Sequence, residues 1–366
     1  MRQRQDERVR SRCRFERRAV SAGSVAPGAR ACLTRTEAAE AVDAGRPKTR
    51  KRGFATALLL SLFAVSGLQA QGAGSTGATV LQLLAGGRAT GFSGAYAGAR
   101  TDADVLFYNP AGIAGLSAAA AVSYQQHVAD IGVATGSGAY RVGRLVLGGS
   151  VIFLDYGDIT EYVPDPDFGN QTGRPTGNTV SASEVAARLS GALPLMDGRL
   201  NLGASAGWVS VDLAGTGRGT PFLDIGAQYA MRAVTLGAAL RNLGGSLSGG
   251  SVADAELPAE ARVGAMVEVT RPSGLGAVLS ADLVSQLRAR ETGLVTGIEA
   301  GLIPMGGSRV GAVGRVGFNT ATGDGGQGAL LLGGGISIGP VSVDYAWQNY
   351  DLFGTLHRVG VRWARF

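Results

Sequence analysis

Two acids, Asp102 and Asp104, open the stretch DADVLFYNPAGIAGL (102–116) and pose the first chemical question: a catalytic loop, a metal loop or a plug. A Ca²⁺ loop needs about six to eight oxygen ligands, and the apolar side chains of Val105, Leu106 and Phe107 supply none. GASAG (203–207) fits the nucleophile-elbow pattern around Ser205. The elbow requires a strand-to-helix turn, whereas Leu202, Ala204, Ala206 and Trp208 alternate straight through it. His127 and His357 are the only histidines, which leaves little for a triad or a metal centre. GAGSTG (72–77) has dinucleotide-loop spacing but no preceding strand. The glycosylation pattern at Asn170 stands in a Gly/Pro-rich stretch. These residues predict no enzyme, no catalytic residues, no cofactor and no metal.

Composition narrows the class of element that must carry the acids. Of 366 residues, 59 are glycine, 45% are hydrophobic and 17% are charged, an unusual balance for a cytosolic enzyme. The net charge of +6 is uneven: residues 1–70 hold 15 Lys+Arg and 6 Asp+Glu, and from Gln71 onward 19 basic residues face 22 acidic ones. Both lysines (Lys48, Lys51) and both cysteines (Cys13, Cys32) lie in that front part, so no disulfide framework is expected. KTRKRGFATALLLSLFAVSGLQAQ has a basic head, an apolar stretch from Phe54 to Val65 and small residues before a cut near Ala70, the layout of a secretory signal peptide. The apolar run is too short for the ~20 residues of a membrane-spanning helix. Residues 1–47 read as a disordered extension or an early start rather than a nucleic-acid arm. The expected organisation is 1–47 extension, 48–70 signal peptide, 71–117 amino-terminal hatch and 118–366 barrel.

From Ala118 on, apolar residues recur at every second position. In ISIGPVSVDYAWQNY, Val341, Val343, Tyr345 and Trp347 share one face and Ser342, Asp344, Ala346 and Gln348 the other. The same alternation predicts strands over 118–127, 130–140, 144–155, 180–193, 199–212, 220–229 and 233–242. A second series follows over 258–269, 275–285, 292–303, 308–319, 327–338, 341–349 and 355–365. That makes fourteen, an even number, of a length that suits tilted membrane strands of about 9–11 residues plus ends. Short links such as RVGR, PLMDG and GP alternate with longer ones, chiefly 158–178 and 244–256, as in barrels with short periplasmic turns and longer external loops.

Charge falls on one strand face only. In a soluble sandwich the Ala/Gly/Val face would make a thin core. A closed cylinder in lipid accounts for both faces, and Glu184, Arg188, Arg241, Glu260, Arg262, Glu268, Asp282, Glu299, Arg309, Arg315 and Asp344 are then expected to line a wet interior with no continuous apolar lining. The fold class is therefore all-β: an outer-membrane β-barrel of about 14 antiparallel strands. Tyr140, Tyr156, Tyr162, Tyr229, Trp208, Tyr345, Trp347, Tyr350 and Trp363 are expected in an interfacial aromatic belt. The chain closes on HRVGVRWARF, where Val359, Val361, Trp363 and Phe366 look like a barrel-assembly signal. Phe366 is out of phase with Trp363, which predicts a bulge or an early end to the last strand.

The segment LLAGGRATGFSGAYAGARTDADVLFYNPAGIAGL then falls immediately before the first strand. On Gly87, Arg88, Gly94, Ala95, Asp102, Asp104, Asn109, Pro110, Ala111 and Gly112 it resembles the amino-terminal signature of the PorV/PorQ group within the wider FadL-like family of outer-membrane proteins. The resemblance implies a hatch folded into the lumen, with Asp102, Asp104, Tyr108, Asn109, Pro110, Ala111 and Gly112 as its plug motif. Asn109 and Pro110 suit a chain reversal in a confined space, Gly112 and Gly115 a close approach to the wall, and the two acids pairing with lumenal arginines. Two functions follow from the resemblance. One is service to type IX protein secretion, with the translocon and secreted cargo as partners beside the outer-membrane lipid. The alternative is passive transport of hydrophobic small molecules across the outer membrane of a diderm bacterium.

Overall fold

A computed structural model describes residues 76–126, 131–248, 254–271, 274–303, 310–320, 330–350 and 354–365. The signal peptide, Arg309, His127 and Phe366 lie outside them. The wall strands are β1 (Ala118–Gln126), β2 (Gly132–Val142), β3 (Leu145–Pro164), β4 (Gly173–Leu195), β5 (Leu200–Leu213), β6 (Thr216–Met231) and β7 (Val234–Gly244). A small external pair follows, β8 (Ser246–Leu247) and β9 (Ala255–Glu256). The wall resumes with β10 (Glu260–Thr270), β11 (Leu275–Gln286), β12 (Glu291–Leu302), β13 (Val310–Asn319), β14 (Leu330–Ile338), β15 (Val341–Tyr350) and β16 (Gly354–Arg365). Fourteen strands pair antiparallel, each with its sequence neighbour, and β1 meets β16 to close the barrel. Closure leaves no bare edge in hydrocarbon, where an unpaired backbone group is costly. Register runs unbroken from Ala118↔Arg365 to Gln126↔His357, so the last strand carries no bulge and reaches Arg365, against the expectation from Phe366.

The two faces separate as the alternation requires. Val122, Leu189, Trp208 and Ile338 are 60%, 76%, 54% and 64% exposed, whereas Asp282, Asp344 and Arg358 on the inner face are at 0%. Val359, Val361 and Trp363 are on the outer face. Tyr156 is not in the belt: it faces the lumen, half-buried, and its hydroxyl donates to Glu184. A charge on the outer face must therefore sit in lipid. Leu189→Arg should destabilise the barrel by about 2–4 kcal/mol if it lies near the bilayer midplane, read as a lower denaturant midpoint in vesicle-inserted protein. An unchanged midpoint would place that face in water.

Two strands run far past the rest. β3 and β4 continue as a ribbon through most of the 158–178 segment that was expected to be loop, with register shifts at Asp155/Asp158 and Thr160/Tyr162. At the same end β5 and β6 are joined only by Ala214 and Gly215, so the expected short/long alternation is incomplete. Inside the wall, residues 76–117 form a helix α1 (Gly87–Gly91) and three 3₁₀ turns, Thr79–Leu81, Ala103–Phe107 and Pro110–Gly115. This hatch crosses the lumen from end to end. Thr76 bridges Glu256 beside the long connections, and the Ser117 N–H bonds the Arg365 carbonyl at the short-turn end.

Candidate functional site

The hatch fills the bore because its sequence is small and apolar where the wall comes close. Phe92, Tyr96, Ala99, Ala103, Val105 and Ile113 are fully buried. Asn109 caps the Pro110–Gly115 turn, its Oδ1 accepting from the Ala111 N–H at 3.1 Å, while its amide donates to the carbonyls of Ala97 and Ala227 at 2.8 and 3.2 Å. It thus holds both the turn and the wall. Close approach comes from wall glycines: a Cβ on Gly203 would overlap Pro110 and Ala111, and one on Gly237 would overlap Ala97. Gly112, by contrast, is pressed against Val105 and Ala99 within the hatch, and Gly115 is exposed. The expected approach of those two glycines to the wall is not what they do.

Two clusters of charge pin the middle of the hatch. Three arginines and three carboxylates form a closed ring: Arg88–Glu299 2.7 Å, Glu299–Arg315 2.6 Å, Arg315–Asp344 2.7 Å, Asp344–Arg362 2.5 Å, Arg362–Asp102 3.3 Å and Asp102–Arg88 3.4 Å. Arg88 and Asp102 belong to the hatch and the others to β12, β13, β15 and β16. The ring is neutral overall and largely buried, so each ion keeps its charge through its paired neighbours. The second anchor is Asp282 of β11, which accepts from the N–H groups of Tyr96 and Ala97 at 2.8 Å each and from Arg262 at 2.9 Å. Arg262 also donates to the Gly94 carbonyl and pairs with Glu260, which pairs with Arg241. Arg188 pairs separately with Asp224 at 3.1 Å.

Of the expected lumenal charges, Glu184, Arg188, Arg241, Glu260, Arg262, Asp282, Glu299, Arg315 and Asp344 are buried inside the barrel. They are packed and hydrogen-bonded, and of the nine only Glu299 and Arg315 also border a cavity of about 480 Å³ at the short-turn end. Glu268 is exposed and lines that cavity, together with Thr101, Thr270, Val278 and Val313. Alternation also marks Asp224, Arg358 and Arg362 as lumenal, and sequence reasoning missed them. Arg358 donates to Gln125 and to the Leu84 carbonyl. Among the described residues Asp104 pairs with no arginine; it accepts from Ser137 of β2 at 2.9 Å.

Burial, and then the neighbouring Asp102, push the Asp104 carboxyl up from its usual 3.8 to about 7. A carboxyl whose folded-state value is raised contributes stability below its unfolded value and loses it as pH climbs through the folded one. The hatch should therefore loosen between about pH 4 and pH 7, and Asp104→Asn should flatten that slope and hold the hatch more tightly above pH 7. Hydrogen exchange of residues 100–116 against pH checks this, and parallel profiles for the two proteins would refute it.

Beyond the Arg188–Asp224 pair, toward the long connections, the inner face turns apolar. Ile152, Leu154, Ala186, Val209, Val211 and Phe222 are buried there in one cluster with Leu247, Leu257 and the hatch residues Val80 and Leu81. Val80 and Leu81 fill this apolar chamber, and one acid enters it: Glu184, whose oxygens accept from the Val80 N–H and the Tyr156 hydroxyl, both at 2.8 Å. The charged lining expected along the whole lumen is thus confined, and part of the interior is greasy. Ser205 lies mid-strand on β5 bonded to Ser190 at 2.8 Å, so the elbow pattern has no elbow.

No family model matches the sequence. Comparison with curated proteins returns no match either. Solved structures do match. The CymD monoaromatic hydrocarbon channel is similar over 76% of this chain and 97% of its own, at 13% identity and a TM-score of 0.52. The fold is that of an outer-membrane β-barrel. The toluene transporter TbuX of Ralstonia pickettii covers 75% of this chain and 97% of its own at 16% identity (TM-score 0.49). A FadL homologue of Pseudomonas aeruginosa covers 82% and 100% at 12% identity (TM-score 0.48). The first two of these likenesses are to a channel and a transporter. They give no support to the narrower PorV/PorQ resemblance or to a part in type IX secretion.

Proposed function

We propose that this barrel admits small hydrophobic molecules across the outer membrane, entering through the apolar chamber between the long connections and the Arg188–Asp224 pair. The apolar patch carries the reading: Ile152, Val209, Val211 and Phe222 give this part of the inner face a greasy surface, and only the two hatch side chains Val80 and Leu81 need leave for a solute to meet it. Val80 and Leu81 occupy it now, and a solute of similar bulk would replace their contacts at little cost in exposed apolar area. The fold shared with a monoaromatic hydrocarbon channel supports the same class of solute. Charged residues close the remainder of the bore, which argues against a general open pore.

The test is uptake of radiolabelled toluene by cells expressing the full chain, its Val209→Asp variant, or neither. Faster uptake with the full chain, lost in the variant at equal outer-membrane abundance, is the expected result. Uptake equal to that of cells lacking the protein would sink the proposal. Co-purification of secretion components under the same conditions would revive the type IX reading.

A further inference from the structure

We infer that the rim of short turns is a binding surface for the phosphate headgroups of anionic lipids in the periplasmic leaflet of the membrane around the barrel. The inference rests on the outer-membrane placement, in which short turns face the periplasm, and not on what the lumen passes. Arg144 lies in the β2–β3 turn, Arg199 in β4–β5, Arg232 in β6–β7 and Arg271 just after β10, while Arg365 ends β16; all five are exposed. Only Asp197 and Glu268 oppose them among the described residues of that rim. The other end has the reverse balance. Its described residues within 155–182, 212–218, 254–256 and 287–291 hold nine acids and four arginines.

Depth selects the ligand. Four of the five stand just past the last lipid-facing apolar side chains: Arg144 beside Val142 (55% exposed), Arg232 beside Met231 (43%), Arg271 near Val269 (48%) and Arg365 near Trp363 (38%). That is where hydrocarbon gives way to headgroups. Their spread around the circumference suits an annulus of lipid, whereas a single protein partner would need them gathered on one face. The residue type agrees. Both lysines lie upstream at positions 48 and 51, so every cation of the barrel is a guanidinium, whose planar fork grips phosphate with two parallel hydrogen bonds.

The test uses native mass spectrometry of the whole protein purified in mild detergent, titrated separately with phosphatidylglycerol and phosphatidylcholine. Its comparison is the variant Arg144→Gln/Arg199→Gln/Arg232→Gln/Arg271→Gln. All four positions are exposed, and unchanged heat-modifiable migration on gels confirms that the variant is folded. The protein should prefer phosphatidylglycerol by about tenfold or more at low salt, with the preference fading toward 0.5 M, roughly where screening is complete. The variant should bind the two lipids alike. Equal binding by the unaltered protein, or a preference kept by the variant, would overturn the inference. So would displacement of the lipid by millimolar inorganic phosphate, which would mark a site for the free anion, or retention of an acidic periplasmic protein in place of lipid.

Discussion

Gly237→Val should open the lumen. A Cβ at Gly237 would overlap the carbonyl group of Ala97, so two backbones compete for one space and no flexible side chain can yield. Overpacking a tight contact costs about 1–3 kcal/mol or more. The hatch can avoid that cost only by lifting away from β7, and residues 95–99 would then surrender their bonds to Asp282 and Gln228 as well. The lipid face is untouched, so the barrel should still assemble and shift on heating. Planar-bilayer recording should show frequent large openings where the unaltered protein is nearly silent, and cells should become sensitive to bulky antibiotics. A silent Gly237→Val channel would mean that the hatch can yield locally and that the glycine does not set its position.

The second large effect concerns the six-membered charge ring. Removing Arg88 alone leaves Glu299 buried at 8% side-chain exposure with one cation fewer, and removing Glu299 strips Arg88 of its nearer carboxylate at 2.7 Å. Either loss should weaken hatch seating by about 3–5 kcal/mol, the usual cost of a buried charge left uncompensated. Arg88→Met with Glu299→Leu removes both charges and fills similar space, so the double variant should recover most of that loss. Hydrogen-exchange protection across residues 85–116 measures it. Additive losses in the double variant would show that the pair is not coupled.

The wall was legible because period-two alternation survives wherever one face is polar. Val341 to Gln348 and Glu260 to Val269 could be phased by eye, and the same phase extends to Arg358 and Arg362 once Val359, Val361 and Trp363 are set in lipid. Phase is lost where both faces are apolar. In Val151-Ile152-Phe153-Leu154 two side chains are 42% exposed and two are 2% exposed, yet the four types are interchangeable by hydrophobicity, so the greasy chamber was invisible. The reach of β3 and β4 was hidden for another reason. Residues 158–164 pair with 173–181 across a two-stranded exposed ribbon, so neither face needs apolar residues, and Gly, Pro, Asn and Asp give a loop signature. The plug motif was legible as a turn through Asn109 and Pro110. Its partners were not, because Ser137, Ala227 and Arg362 are brought to it only by the curvature of the sheet.

The hatch also touches both ends of the wall: α1 packs on β14, β15 and β16, and the Ala103–Phe107 turn on β1, β2 and β3. Strands β1 and β16 are more than two hundred residues apart in sequence, and joining such distant partners is the slow step of assembling a β-structure. A nascent sheet with residues 85–107 already docked on one end presents the other with a ready surface, so the stopper doubles as a clasp that draws the unjoined margins together. Biogenesis and occlusion then depend on the same forty residues, and a lesion that frees the bore should also slow the last zippering of the cylinder.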